Sequence, residues 1–518
     1  MHSYAKGKNE KSEEKLKLMR GVFIMGTLVD WLNGYVWSPV LVYTFLGLGL
    51  FYSISTRFLQ FRLVKDMIKL IFESKSSEAG VSSFQALALS LSSRVGVGTI
   101  AGVATAIAYG GPGAVFWMWF MTFLGACTAF IETTLAQVYK RKLDGEFRGG
   151  TPYYIEKGLK IKWLAVLFAV ITMIVSSVLI PGVQANAVSS AMNTAFGIAP
   201  LVTGTVFVVG LAAIIFGGVK RIAKTAEIVV PFMAIAYILI CVIVLIKNVA
   251  QIPDVVTLIF TSAFGTNAAF GGIIGSAITW GVKRGAFANA AGFGSETFYP
   301  AATEVSHPAK QGLVQAFSVY IDSLVICSAT AFMILVTGMY NVTPEGRAPM
   351  VNNLGDLEPG PIYTQKAVES VMPGFGAPFV AIAILFFAFT TLMTYFYMAD
   401  TNLAFLNRNR KVKLVWPKHV LRVALLITVF YCSINTSTLA WALGDLGFGV
   451  MAWLNLITLI ILTKPAIKVL KDYERQKKEG KDPLFDPIKI GVSNADFWEI
   501  EKQEREYTEK KEQKTMSS

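Results

Sequence analysis

Long apolar stretches alternate with short polar segments along most of the chain. A hydrocarbon core about 30 Å thick is crossed by about 20 apolar residues of α-helix, and a helix satisfies its own backbone polar groups. The pattern therefore predicts an all-α polytopic membrane protein with about eleven spans. These lie near residues 35–53, 81–109, 112–139, 162–182, 199–217, 225–247, 267–294, 312–340, 376–405, 417–436 and 438–463.

Composition supports this division of the chain. The 518 residues are 54% hydrophobic and only 16% charged, and 34 of the 81 charged side chains fall in residues 1–20 and 464–518. We therefore expect an amino-terminal tail with a half-inserted amphipathic segment at 1–34, a membrane domain at 35–463 and a charged tail at 464–518. Two interpretations of that last tail stay open, disorder or partial helix.

The loops between spans predict the orientation. Alternate loops carry 21 Lys and Arg residues in one set and three in the other, and the basic set belongs in the cytoplasm. This places the amino terminus outside and the carboxyl terminus inside, although the lysine-rich first 20 residues would prefer the cytoplasm. Cytoplasmic loops also account for the net charge of +13, so we expect no nucleic-acid partner.

Two spans contain more glycine than the others. Glycine weakens a helix and frees backbone groups, which membrane depth tolerates where they line a cavity. Once the first span is set aside, these two open successive sets of five, as in transporters built from inverted repeats with a site at midplane. For any single glycine, close helix packing is an alternative explanation. The residues are Gly96, Gly98 and Gly102 in the second span and Gly281, Gly285, Gly292 and Gly294 in the seventh.

These two segments predict a site for a zwitterion. The segment SSRVGVGTIAG, Ser92 to Gly102, can unwind and direct backbone N–H groups and a helix N-terminus at a carboxylate. The segment GAFANAAGFG, Gly285 to Gly294, offers freed carbonyl groups that would accept hydrogen bonds from an ammonium group. An amino acid carries both a carboxylate and an ammonium group and would therefore bind between these two segments.

Hydroxyl and amide side chains add two further candidates. Thr390 and Thr391 place adjacent hydroxyls in the ninth span, where they would help to bind a small hard cation such as sodium, or would bond to their own helix. Gln184 and Asn186 follow Pro181 at the outer end of the fourth span. Their amides would either reach the cavity or bond to the loop backbone.

Charged residues inside spans need partners or water. Arg94 is expected to pair with Glu132 or Asp322, and a purely structural ion pair is an equal alternative for both carboxylates. Asp400, near the cytoplasmic end of its span, is expected to face water.

Several absences in the sequence argue against an enzyme. The chain has no GxxxxGK[ST] loop, no HExxH and no GxSxG, so we expect no catalytic residues, no cofactor and no transition metal. An intramembrane hydrolase using Asp400 and Asp445 lacks support, because nothing in the sequence makes these carboxylates face each other.

Four segments resemble the alanine or glycine:cation symporter family over roughly residues 35–463. This resemblance implies a LeuT-type 5+5 inverted-repeat core with two broken helices and one preceding helix. It also implies sodium- or proton-coupled uptake of small neutral amino acids. The segments are GGPGAVFWMWFMTFLG (Gly110 to Gly125), SSFQALALSLSSRVGVG (Ser82 to Gly98), FGGVKRIAKTAEIVVPF (Phe216 to Phe232) and HPAKQGLVQAFSVYIDSLVICSATAF (His307 to Phe332).

The resemblance also implies two sets of site residues. The sodium set comprises backbone oxygens of Ser92, Val95 and Phe387 and the hydroxyls of Thr390 and Thr391. The substrate set comprises Gly96, Val97, Gly98 and Thr99 in the second span, Phe287 and Asn289 in the seventh, and Gln184 and Tyr395 at the sides.

The chain departs from the family pattern in both broken spans. It has GVGT where GTGN is common, and FANAAG (Phe287 to Gly292) where FSNEAG is usual. The sodium stoichiometry therefore stays open, and the pocket size and the substrate are expected to differ from those of an alanine carrier.

The function predicted is inward symport of a small neutral amino acid, such as alanine or glycine, with sodium or protons. The protein is expected in the cell membrane, functional as a monomer. The alternative is an amino-acid-gated sensor or channel without coupled transport.

Overall fold

A computed structural model describes residues 26–503 except 74–76, 78, 268, 411 and 436. In these ranges the chain is almost entirely helical. Seven helices are long and apolar enough to cross a membrane, or nine if each of two bent pairs is counted as one span. The fold class is therefore confirmed as an all-α polytopic membrane protein with broken helices.

Each of the eleven predicted spans coincides with a helix. The fifth and the seventh are short, at 16 residues each. In order, the spans are Gly26–Val36 bent by 41° into Pro39–Ser55, Ser83–Arg94 bent by 53° into Gly98–Gly110, Gly113–Val138, Lys162–Phe196, Pro200–Ile215, Val219–Lys247, Ile274–Asn289, Pro308–Val336, Gly376–Asn407, Trp416–Ile434 and Ser437–Ile461.

Local sequence accounts for several helix ends. Ser82 and Gln85 form a capping box that starts the second span. Pro200 and Pro308 occupy first helical positions, where the missing N–H costs nothing. Gly197, with φ of 66°, ends the fourth span in a left-handed conformation that favours glycine.

Several of the expected loops contain ordered elements. The loop between the sixth and seventh spans includes Ile252–Ala263, which buries Val255 and Ile259 and, at 12 residues, is too short to cross a membrane. The other elements between spans are helices Leu59–Arg62, Val64–Leu70, Thr151–Tyr154, Ile155–Leu159, Val249–Gln251, Gly271–Ile273, Ser295–Thr297, Phe298–Ala301 and Pro361–Val371, and antiparallel strand pairs Arg141–Leu143 with Glu146–Arg148 and Asn341–Val342 with Val351–Asn352.

The third span lies at the centre of the bundle, and the seventh packs closely on it through glycines. A Cβ atom at Gly281 would lie 2.6 Å from the Ala114 carbonyl oxygen, and one at Gly285 would lie 3.1 Å from Met118 Cα. Both glycines lie within intact helix. The break in this span therefore does not involve Gly281 or Gly285, which allow close helix approach.

The carboxyl tail is partly helical in the residues that the structure describes. Helix Thr463–Lys478 follows the last span directly, and a second helix covers residues 496–503. Between these helices the chain folds back, so that Trp498 is fully buried and its indole N–H donates to the Gln137 carbonyl oxygen at 2.9 Å. This segment therefore covers the end of the third span at Val138.

Candidate functional site

The second span breaks between Arg94 and Gly98. Gly96 lies at the break, where a Cβ atom would be 2.7 Å from the Thr391 hydroxyl and 3.1 Å from the Gln184 amide oxygen. The freed N–H of Val97 donates to that same amide oxygen at 3.0 Å. Three spans thus converge on a backbone segment that only glycine can occupy at this spacing.

The predicted cation oxygens lie partly together at this break. The Thr391 hydroxyl is 2.8 Å from the Ser92 carbonyl oxygen in the second span and 2.8 Å from the Phe387 carbonyl oxygen in its own helix. Thr390 bonds only within its helix, to the Phe387 oxygen at 3.0 Å. The two carbonyl oxygens and the hydroxyl oxygen are neutral and buried. A hard monovalent cation would contact all three in place of the hydrogen bonds that the Thr391 hydroxyl donates. The donor set therefore fits sodium.

The seventh span breaks after Asn289. This position lies beyond Gly281 and Gly285, the first two glycines of the predicted break. Ala290, Gly292 and Gly294 have φ of 51°, 90° and 74°, the left-handed region in which glycine carries no steric penalty. The Glu132 carboxylate accepts hydrogen bonds from the freed N–H groups of Gly292 and Gly294 at 3.2 and 3.3 Å.

The third donor to Glu132 is the Asn455 amide at 3.0 Å, which also bonds the Gly292 carbonyl oxygen. Of the open interpretations for Glu132, the geometry favours a structural one, because its partners are backbone amides of the break. Sequence reasoning expected this segment to offer carbonyl groups, whereas the groups that bind a side-chain anion here are N–H donors.

The substrate set divides into residues that meet at the second break and one that does not contact it. Phe287 lies against Gly98, where a Cβ atom would be 3.2 Å from its ring. Tyr395 is within hydrogen-bonding reach of Gln184, and the Thr99 hydroxyl bonds the Gly96 carbonyl oxygen at 2.7 Å. Asn289 instead lies against Gly125 of the third span and bonds the Ala291 N–H at 2.9 Å.

All of these side chains are buried, so the site is closed. An ion pair separates it from a cavity of about 840 Å³. Arg284 contacts Asp445 at 3.0 Å, and its guanidinium lies 4.6 Å from the Trp441 ring and 5.7 Å from the Phe287 ring. Arg284 is not among the residues predicted from the sequence, although a charged residue within an apolar run indicates a functional position.

Arg94 does not pair as expected. Its guanidinium lies 3.9 Å from Glu296, a residue that the sequence analysis did not single out, and it also contacts Ser318. Glu296 follows the seventh break directly, so this pair joins the segment before the second break to the segment after the seventh. Pairing with Glu132 or Asp322 was therefore the wrong prediction.

Asp400 is buried and does not face open water. It lies 3.1 Å from Arg148 and 2.8 Å from Lys418. Asp445 is held separately by Arg284 and Lys283 beside the 840 Å³ cavity. The two carboxylates have different partners, which removes the basis for a two-aspartate hydrolase.

Comparison with known proteins gives a consistent result. The sequence profile of the sodium:alanine symporter family matches residues 23–487. YrbD of Bacillus subtilis, named as a candidate sodium/proton-dependent alanine carrier, is 58% identical over 488 residues, covering 94% of this chain and 99% of YrbD. The sodium/proton-dependent alanine carrier protein of Bacillus sp. (strain PS3) is 52% identical over 434 residues, covering 84% and 97%.

A solved structure also aligns over most of the chain. It is the substrate-bound outward-open state of a Na⁺-coupled sialic acid symporter, with a TM-score of 0.47 and 13% sequence identity. The alignment covers 90% of this chain and 96% of that chain.

Proposed function

The chain belongs to the sodium:alanine symporter family, and we propose that it couples the inward flow of sodium or protons to uptake of alanine or a similar small neutral amino acid. The observation that best supports the proposal is that Gln184 and Thr391, from two other spans, both lie against Gly96 at the break of the second span, in a site that is closed to solvent. A broken span with side chains from two other spans around it is the arrangement that alternating-access carriers use at midplane.

The substrate carboxylate would bind the backbone of the second break. The Val97 N–H is held by the neutral Gln184 oxygen, a partner that an anion can displace because a charge-assisted hydrogen bond is the stronger one. The aromatic ring of Phe287 at Gly98 limits the space for a substrate side chain, which favours a small amino acid.

Sodium would lie between the second and ninth spans. It would bind the carbonyl oxygens of Ser92 and Phe387 and the Thr391 hydroxyl, with Val95 and Thr390 completing the set. Since these ligands belong to two different spans, cation binding would fix the second break in the geometry that receives the substrate. This coupling through shared residues makes one ligand increase the affinity for the other.

Transport in proteoliposomes tests the proposal. Purified protein is given labelled alanine with an inward sodium gradient, an inward proton gradient or no gradient. We expect accumulation above the equilibrium level under at least one gradient, abolished by an ionophore that dissipates it. Binding of alanine without accumulation under either gradient would overturn symport and favour the sensor or channel.

A further inference from the structure

A group of buried ionisable side chains lies beside the proposed site, at the contact between the second, seventh and eighth spans. It comprises Arg94, Glu296 and Asp322, each at most 3% exposed. Arg94 acts electrostatically on both carboxyls. Asp322 is 14 residues into the eighth span, which is about 20 Å along a helix and close to the middle of a bilayer.

Helical spacing places Asp322 on the side of the eighth span that contacts Arg94. Arg94 contacts the Gln315 carbonyl oxygen and the Ser318 hydroxyl of the eighth span. Residues 315, 318 and 322 are three and four positions apart, and the segment Tyr320–Cys327 is π-helical, so the three residues lie on one side of the span on successive turns. Asp322 therefore lies about one turn beyond Ser318, which contacts the Arg94 guanidinium.

Charge in this group is not balanced. Glu132 also interacts electrostatically with Arg94 and Glu296, so three carboxyls share the field of one guanidinium. If all three were ionised, two negative charges would be uncompensated in a region closed to water, which is very costly. A proton on one carboxyl removes one of these charges.

Hydrogen bonding identifies which carboxyl takes the proton. Glu132 accepts from two backbone amides and Asn455, and Glu296 accepts from Ser93 at 2.7 Å and faces Arg94. Asp322 accepts only from its neighbour Ser323, at 2.7 Å. Its other oxygen, Oδ1, is buried without a hydrogen-bond partner among the described residues.

Other buried polar atoms of this group are also unpartnered in the part of the chain that the structure describes. They are Nη2 and Nε of Arg94, Oε2 of Glu296 and Nε2 of Gln315. The remaining titratable groups that face it are Tyr299 and Tyr395 around Glu296 and Cys327 near Asp322. All three are weak acids that are neutral at pH 7 in water and add no compensating charge.

We propose that Asp322 is the proton-binding site of this carrier, which rests on the proposed function. The proton binds an Asp322 carboxylate oxygen from the outer side and leaves to the cytoplasm. An O–H bond forms and later breaks, and one positive charge crosses per cycle.

Protonation of Asp322 also affects the cytoplasmic side of the site. With Asp322 neutral, one carboxylate fewer competes for the Arg94 guanidinium, and this strengthens the Arg94–Glu296 contact that joins the two broken spans. Release of the proton adds a third carboxylate to the field of Arg94 and weakens that contact. The proton is thereby linked to opening.

Alanine accumulation by Asp322→Asn tests the assignment. The variant is compared with wild type under a sodium gradient and, separately, under a proton gradient without sodium. We expect proton-driven accumulation to fall by at least about tenfold while sodium-driven accumulation changes by less than about threefold. Asp322→Glu, which keeps a titratable group, should retain proton-driven uptake, and Asp254→Asn, at an exposed position outside the bundle, should behave as wild type.

Each other outcome has a defined meaning. Equal loss under both gradients, or proton-driven uptake retained in Asp322→Asn, overturns the assignment. Sodium-driven but no proton-driven uptake by wild type also overturns it while leaving the proposed function intact. If Asp322→Asn does not fold, Ser323→Ala gives the decision: loss of the donor destabilises the carboxylate, so the midpoint of proton-driven uptake should move to higher pH. An unchanged midpoint contradicts the proposal.

Discussion

The two broken spans differ in what satisfies the freed backbone. At the second break, a neutral amide from Gln184 accepts one N–H bond, and the Thr391 hydroxyl contacts a carbonyl oxygen. At the seventh break, the Glu132 carboxylate accepts from two backbone amides and from Asn455. Neutral partners can be exchanged for a ligand, whereas a buried carboxylate with three donors cannot be removed cheaply. We therefore expect the second break to respond to ligand and the seventh to be a fixed part of the scaffold.

The largest expected effect comes from changing the fixed break. Glu132→Gln replaces one of the two accepting carboxylate oxygens by an NH2 donor that faces N–H groups, and it removes the charge, so it should destabilise the protein by about 3 kcal/mol. The thermal unfolding midpoint in detergent measures this. Glu304→Gln, at an exposed loop position, is the matched control. A Glu132→Gln protein as stable as this control would show that the carboxylate does not hold the break.

At the second break we expect loss of transport with the fold kept. The Cβ atom of Gly96→Ala would lie 2.7 Å from the Thr391 hydroxyl and displace it, and a cost of about 1.4 kcal/mol already gives about tenfold weaker binding. Alanine uptake should fall at least that much, with little change in the unfolding midpoint. Gly47→Ala in the first span, where a Cβ atom meets nothing within 4 Å, is the control. Normal uptake by Gly96→Ala would exclude a site at this break.

Sequence patterns located the spans and the second break because both depend on local composition. The length of an apolar run and the pair Gly96 and Gly98 need no knowledge of tertiary contacts. Glu132 and Gly292 are 160 residues apart, and nothing along the chain pairs them. The contact between Arg94 and Glu296 was not predicted for the same reason. A charged residue in an apolar span indicates that a partner is needed, but the sequence does not identify that partner.

Two adjacent threonines at the second break have different hydrogen-bond partners. Thr391 bridges two spans, whereas Thr390 bonds only within its own helix. Thr391→Ala should therefore weaken the apparent sodium affinity by about tenfold, and Thr390→Ala should weaken it less. Sodium titration of alanine uptake or calorimetry measures both variants. Equal effects would mean that the bridge to Ser92 has no special role, and no effect of Thr391→Ala would remove it from the site.

The smallest expected effect concerns the carboxyl tail, which docks at the end of the third span. Lys140 donates to the Thr303 carbonyl oxygen at 2.9 Å and lies against Trp498. Burial lowers the pKa of Lys140 to about 7, below its ordinary value of about 10.4. The undocked state thus binds more protons between these values, so docking should become more favourable as pH rises from about 7.

Limited proteolysis of the tail between pH 6 and 9 measures this effect. Protection in wild type should increase with pH. In Lys140→Met, which keeps the apolar stem and removes the charge, protection should not depend on pH in that window. A steeper pH dependence in the variant, or none in wild type, would contradict the assignment of this effect to Lys140.

We expect the backbone of the second break to become more ordered when ligand binds and that of the seventh to stay the same. Amide hydrogen exchange in proteoliposomes, with and without alanine and sodium, measures both breaks at once. We predict that peptides covering residues 95–99 become more protected on addition of both ligands, while those covering 290–296 keep the same exchange. Equal changes in the two segments, or a change confined to the seventh, would contradict this account.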